Sequence, residues 1–67
     1  MKRNEVVRDA LRRKRKKETL EGAIGKAVRR SGGTYQDYIE IMSYIREKKE
    51  LERLTLLDAA RRVAEED

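Results

Sequence analysis

Apolar residues recur along this chain at intervals of three and four, the spacing that gathers side chains on one face of an α-helix. Val6, Val7, Ala10 and Leu11 form a first short stripe, and Leu20, Ala23, Ile24, Ala27 and Val28 form a second. Tyr35, Tyr38, Ile39, Met42 and Ile45 follow the same rule, with Ile41 broadening the face; Leu51, Leu54, Leu57, Ala60 and either Val63 or Ala64 make the last stripe. Strand alternation fails where apolar residues adjoin, as in Tyr38-Ile39 and Ile41-Met42, and no proline is present to break a helix. The pattern predicts an all-α protein of two or three amphipathic helices in a helical hairpin. They are expected near residues 5–30, 34–50 and 55–65, the first broken around residues 17–22. A single helix from Thr34 to Glu65 is the alternative for the second half.

Local signals mark the ends. Ser31-Gly32-Gly33-Thr34 reads as a helix stop followed at once by a helix start. Glycine, lacking a Cβ, can enter the left-handed region that closes a helix, while Thr34 offers its hydroxyl to free amides and Asp37 answers as an approximate capping box. A sharper alternative has those amides holding a phosphate. Asn4 and Thr19 are further N-cap candidates, and Thr55 with Asp58 repeats the threonine-x-x-acid signal. Gly22 and Gly25 lie inside the second stripe, where each costs about 1 kcal/mol against alanine, so that helix needs close packing. Arg46 with Glu50 and Lys48 with Glu52 can pair on a solvated face. Glu65, Glu66 and Asp67 oppose the dipole of the last helix, which predicts a frayed last turn.

Composition then restricts how such helices can be held together. Apolar residues make up 37% of the 67 and charged ones 46%, with three tyrosines and no Phe or Trp. A chain this short buries only about 60% of its unfolded surface, and without cysteine no disulfide staples it. The expectation is a single small helical domain over residues 1–67, stable as a homodimer or in a heterocomplex. No stretch approaches the roughly 18 apolar residues of a membrane span, and no apolar segment follows the basic start as a secretory signal requires, which places the chain in the cytoplasm. Abundant Glu, Lys and Arg with one Asn, one Gln and no Cys resemble a thermophile composition.

Charge divides the domain. Residues 2–17 hold nine Lys or Arg against Glu5 and Asp9, net +7, whereas residues 18–67 hold nine against eleven acids, net −2. Arg12 to Lys17 are six consecutive cations, and on a helix Arg13, Lys14 and Lys17 would fall on the face of Val7, Leu11 and Leu20. Like charges so packed repel, so this segment is expected to be frayed in free solution and ordered by a counter-charge. The turn at 31–34 divides the amphipathic part, residues 18–67.

What chemistry do these residues permit? With no His and no Cys, the usual general base, thiolate nucleophile and soft metal ligands are missing. The acid pairs Asp37/Glu40 and Glu50/Glu52 sit on charged faces with nothing to tune them. Neither Gly22-Ala23-Ile24-Gly25 nor Gly32-Gly33 has the spacing of a nucleotide loop. An enzyme, a cofactor and a metal site are therefore not expected. A cation cluster does have one strong physical use: it releases condensed counterions when it meets a phosphate backbone. The candidate nucleic-acid-binding residues are Arg3, Arg8, Arg12, Arg13, Lys14, Arg15, Lys16 and Lys17. No Asn, Gln or aromatic interleaves the run, so base readout is not visible. The alternative is a solubilising charged surface.

A basic N-terminal part followed by short amphipathic helices resembles the antitoxin half of prokaryotic toxin–antitoxin pairs, including those partnered with PIN-domain ribonucleases. Arg30-Ser31-Gly32-Gly33-Thr34-Tyr35-Gln36-Asp37-Tyr38-Ile39 also resembles the turn between the helices of ribbon-helix-helix repressors. The alternating strand of that fold is absent from residues 2–8, so its base-reading residues cannot be transferred. The antitoxin resemblance implies a regulator that binds DNA at one end and a toxin at the other. A protein partner would then be met by Tyr35, Tyr38, Met42, Ile45, Leu54 and Leu57, with Arg61 or Arg62 reaching the acidic active site of a PIN-domain partner. The rival readings are a helical nucleic-acid-binding or architectural protein without a toxin, and a small subunit or assembly factor of a larger complex.

Overall fold

Each threonine that follows a loop caps a helix. The Gly22 amide donates to Thr19 Oγ1 at 3.0 Å, Asp37 N to Thr34 Oγ1 at 3.2 Å and Asp58 N to Thr55 Oγ1 at 3.1 Å. In the computed structural model, which describes residues 1–66, these caps open α2 (Leu20–Arg30), α3 (Tyr35–Glu52) and α4 (Leu56–Glu65), preceded by α1 (Arg3–Arg13). The hairpin of two or three helices is thus corrected to a four-helix arrangement, without strands among the described residues. The expected break in the first helix becomes a full connection over residues 14–19. Its cause is the charge: ending α1 at Arg13 takes Lys14 to Lys17 off the helix, where they would have crowded one another and the apolar face.

The 31–34 turn follows hydrogen-bonding rules for a helix stop. Gly32 takes φ +79°, its amide donates to Arg29 O at 3.1 Å, and Gly33 N reaches Val28 O at 2.9 Å. Thr34 N then donates to Asp37 Oδ2 at 2.7 Å, completing the capping box. The carboxylate of Asp37 occupies the place an anion would take, so the alternative of a phosphate held by these amides is withdrawn. The continuous helix from Thr34 to Glu65 is likewise excluded: Arg53 enters the left-handed region at φ 54°, and Leu54 N closes back on Lys49 O at 3.0 Å.

Around this scaffold the helices form a ring, α1 packing on α2 and α4, and α3 on α2 and α4. The core is wholly apolar: Val6, Val7 and Ala10 from α1; Leu20, Ala23, Ile24, Ala27 and Val28 from α2; Ile41, Met42 and Ile45 from α3; Ala59, Ala60, Val63 and Ala64 from α4. Six of these are alanines, which lets the helices approach closely and explains how a chain without large aromatic core residues closes. The Cα radius of gyration, 10.7 Å, matches the roughly 11 Å expected of a folded domain this long. No helix among the described residues is long and apolar enough to cross a membrane.

Two expectations about the chain's ends change. Asn4 does not cap α1, which starts from Lys2 without a side-chain cap; its amide donates instead to the Glu66 carbonyl. The last turn of α4 is tied down rather than frayed. Arg8 donates to Ala64 O through Nε at 3.2 Å and Nη2 at 2.7 Å, placing a cation at the negative end of the helix dipole. Glu66 accepts from Tyr44 Oη at 2.9 Å and pairs with Lys48 Nζ at 2.8 Å. Asp67 lies outside the described residues.

Candidate nucleic-acid interface

The basic run is split by the end of α1 into two differently held parts. Arg12 and Arg13 remain on the helix and pair with Asp9 at 2.8 and 2.9 Å, and Arg30 reaches the other oxygen of the same carboxylate from α2 at 3.0 Å. Arg30, with help from Arg12 and Arg13, holds the Asp9 carboxyl below its ordinary range. Three guanidiniums thus share one carboxylate, and the cluster stays net positive.

The second part is a pinned turn. Arg15 N donates to Glu18 Oε1 at 2.9 Å while Glu18 N donates to Arg15 O at 3.1 Å, so residues 15–18 close on themselves. Glu18 Oε2 also receives Lys26 of α2. Lys26, and then the Arg15 amide, keep the Glu18 carboxyl ionised below its usual range. With the backbone fixed this way, Arg15, Lys16 and Lys17 are exposed and have no ion-pair partner among the described residues. Lys14 reaches only the Arg15 carbonyl, at 3.3 Å.

Turn and helices together enclose a groove of about 420 Å³ floored by Ala10 and Ala23. Its walls carry Arg13, Lys14, Arg15, Lys26 and Arg30, with Glu18 as the acid among them. Five cations and one acid thus line the groove, a local excess of +4 in a chain whose formal net charge is +5, and Lys16 and Lys17 lie in the same turn. Lys26 and Arg30 were not expected at this site. They belong to the segment of negative balance, and only the packing of α2 against α1 brings them to it.

Of the expected nucleic-acid residues, Arg13, Lys14 and Arg15 line the groove, Arg12, Lys16 and Lys17 lie outside its lining, and Arg3 and Arg8 are engaged elsewhere. Arg8 caps α4, and the Arg3 guanidinium lies 3.5 Å from the centre of the Tyr44 ring. The expected partner surface is also dispersed. Met42 and Ile45 are 1% and 0% exposed, spent on the chain's own core, and are withdrawn from any surface role in this fold. Leu54 and Leu57 are half-buried against that core. Arg61 pairs with Asp58 at 3.0 Å and Arg62 with Glu52 at 3.3 Å on a solvated face. Tyr35 and Tyr38 stand at the other end of α3, roughly 25 Å away along an 18-residue helix.

These tyrosines border a second groove, of about 540 Å³, on the adjacent flank of α2, where Gly22, Gly25 and Arg29 face Tyr35 and Tyr38. Among the described residues no three acidic side chains converge as a metal site would require. No protein-family model matches the chain, and neither a curated protein nor a solved structure is found similar to it.

Proposed function

We propose that this protein binds nucleic acid through the phosphate backbone, using the groove between α1, the 14–19 turn and α2. The observation that supports this reading best is the concentration of unneutralised charge on fixed backbone: Arg15, Lys16 and Lys17 project from a turn closed by Glu18, and Arg15 lines a groove with four other cations, Arg13, Lys14, Lys26 and Arg30. A merely solubilising surface intersperses charges of both sign, as α3 does with Arg46, Glu47, Lys48, Lys49 and Glu50. A backbone already fixed also loses less conformational freedom when its side chains meet phosphates. Binding is then dominated by counterion release and depends steeply on salt.

The test replaces Arg15, Lys16 and Lys17 with Gln, residues whose side chains hold nothing else in place. If each makes one phosphate contact, the slope of log K against log salt falls by about 2.1 on a single strand or 2.7 on a duplex. Parent and variant binding oligonucleotides with equal slopes would reject the reading.

A protein partner, as in an antitoxin-like regulator, is the second reading. It rests on Leu51, which is 76% exposed, near the half-buried Leu54 and Leu57 at the corner between α3 and α4. Exposed leucine of this kind favours association. Sedimentation of the isolated chain, and co-purification with the product of the adjacent reading frame in the native host, would reveal a dimer or a heterocomplex.

A further inference from the structure

The tyrosine groove and the cationic one lie on adjacent flanks of α2. Residues 22, 25 and 29 of α2 line the first, and residues 23, 26 and 30 line the second, so α2 is the wall between an aromatic surface and a phosphate site that lie about 100° apart around its axis. That wall is thin on the aromatic side, because Gly22 and Gly25 present no side chains there. The Tyr38 ring rests over Gly25, with Cε1 3.8 Å from where a Cβ would stand. Tyr35 stacks on Tyr38 with ring centroids 5.9 Å apart and planes 23° from parallel, yet remains 75% exposed. An aromatic ring so exposed offers area for another flat ring. Arg29 adds a guanidinium at the groove's edge, and Glu21, the one acid lining it, disfavours phosphate while leaving an uncharged base unopposed.

We infer that the ligand is single-stranded nucleic acid, its backbone held in the cationic groove and one or more bases stacked in the groove of Tyr35, Tyr38 and the two glycines. This rests on the phosphate-binding reading and adds to it a reason for preferring unpaired strands. Duplex DNA or RNA presents the same phosphates, but its bases are already stacked and paired and cannot enter a side groove. A single strand combines both surfaces, as proteins that bind such strands without reading sequence do. The sequence run contains no aromatic residue because the stacking surface is supplied by α3, brought alongside α2 by the 31–34 turn.

The experiment measures binding of an oligothymidylate of about a dozen nucleotides, within the usual range of single-strand sites, and of a mixed-sequence duplex of equal length. The full chain is compared with Tyr35→Ala and Tyr35→Phe. Exposure of Tyr35 means that its truncation leaves the core intact, which circular dichroism checks. Tyr35→Ala should weaken oligothymidylate binding by roughly 5- to 150-fold, the range of one lost stacked base, and leave duplex binding unchanged; Tyr35→Phe should retain the parent affinity. Because the chain has three tyrosines and no tryptophan, stacking should also quench its intrinsic fluorescence with oligothymidylate and not with duplex. Salt-dependent binding that is equal for both probes and indifferent to Tyr35→Ala would overturn the inference while leaving the phosphate reading intact. Binding to neither probe at low salt would overturn both.

Discussion

Gly25→Ala should stabilise this protein, although the residue lies at a helix contact where a glycine would ordinarily be read as a packing requirement. A Cβ at position 25 would meet Tyr38 Cε1 at 3.8 Å and Cδ1 at 3.9 Å, both ordinary van der Waals distances, so no neighbour has to move. The helix-propensity gain of about 1 kcal/mol is therefore fully realised. For a domain of this size that raises the thermal midpoint by roughly 4–8 °C. The contrast is Gly33→Ala: its Cβ would stand 2.8 Å from Val28 Cγ1 and 3.1 Å from Asp37 Oδ2, in the turn that both ends α2 and caps α3. Overpacking there should lower stability by about 1–3 kcal/mol. Thermal and urea unfolding followed by circular dichroism at 222 nm, the helical band, measures both. A Gly25→Ala midpoint at or below the parent's would show that α2 and Tyr38 approach more closely than this geometry and would refute the reasoning. The same methyl raises the floor of the tyrosine groove, so single-strand affinity should fall even as stability rises.

Ile45→Ala should destabilise the fold by about 2–5 kcal/mol, against a total of roughly 3–10 kcal/mol for a chain of this length, because Ile45 is 0% exposed; an unchanged urea midpoint would return Ile45 to the surface. Acid should loosen the protein through its paired carboxylates. Lys48, with Tyr44, holds the Glu66 carboxyl below the ordinary glutamate value, and Arg30 and Lys26 do the same for Asp9 and Glu18. A folded-state pKa below the unfolded one gives stability that is complete above the unfolded value, near pH 4, and is lost as pH falls through the folded value. The thermal midpoint should thus decline below about pH 4.5, less so in Glu66→Gln; a midpoint flat to pH 2 would contradict these pairings. At the alkaline end the Lys48 amine, raised by Glu66 and Glu52, contributes in full below its ordinary pKa and loses that contribution as pH rises from there through the folded value.

The stripes were legible because burial repeats with the helix period. Nearly every core residue lies on one, Ala59 being the exception, and the three threonine caps and the Gly32 stop are local signals that needed no tertiary information. What could not be read is what depends on distant residues meeting. Arg8 and Asn4 serve the end of α4 from 56 and 62 residues away, contacts with no periodicity to announce them. Segment charge also does not show how each cation is held. Summed by position, Arg12 and Lys16 are equivalent, yet one shares Asp9 with two other guanidiniums and the other has no partner among the described residues. Lys26 and Arg30 were hidden by the negative balance of their own segment, and the tyrosine groove by the fact that its two walls come from different helices.

Met42 and Ile45 show the opposite case, in which a periodic signal read as surface belongs to the core. Tyr35, Tyr38, Met42 and Ile45 share one stripe, but α3 is long enough that the stripe passes from solvent to core along its length. The small apolar inventory suggested that a second chain must complete the core. The chain's six core alanines let the helices approach closely and substitute contact for side-chain volume, and sedimentation reads whether a second chain adds to that core.

The claim on which the rest depends is that nucleic acid meets the groove between α1, the 14–19 turn and α2. Titrating the isotopically labelled chain with oligothymidylate and following backbone amides by nuclear magnetic resonance tests it residue by residue. Shifts should concentrate at Arg13 to Glu18 and at Lys26 and Arg30, with a second group at Gly22, Gly25, Tyr35 and Tyr38 where bases stack, shrink as salt is raised, and leave Leu51 to Leu57 unmoved. Shifts centred on Leu51 to Leu57, or spread evenly over every exposed lysine and arginine, would contradict the account.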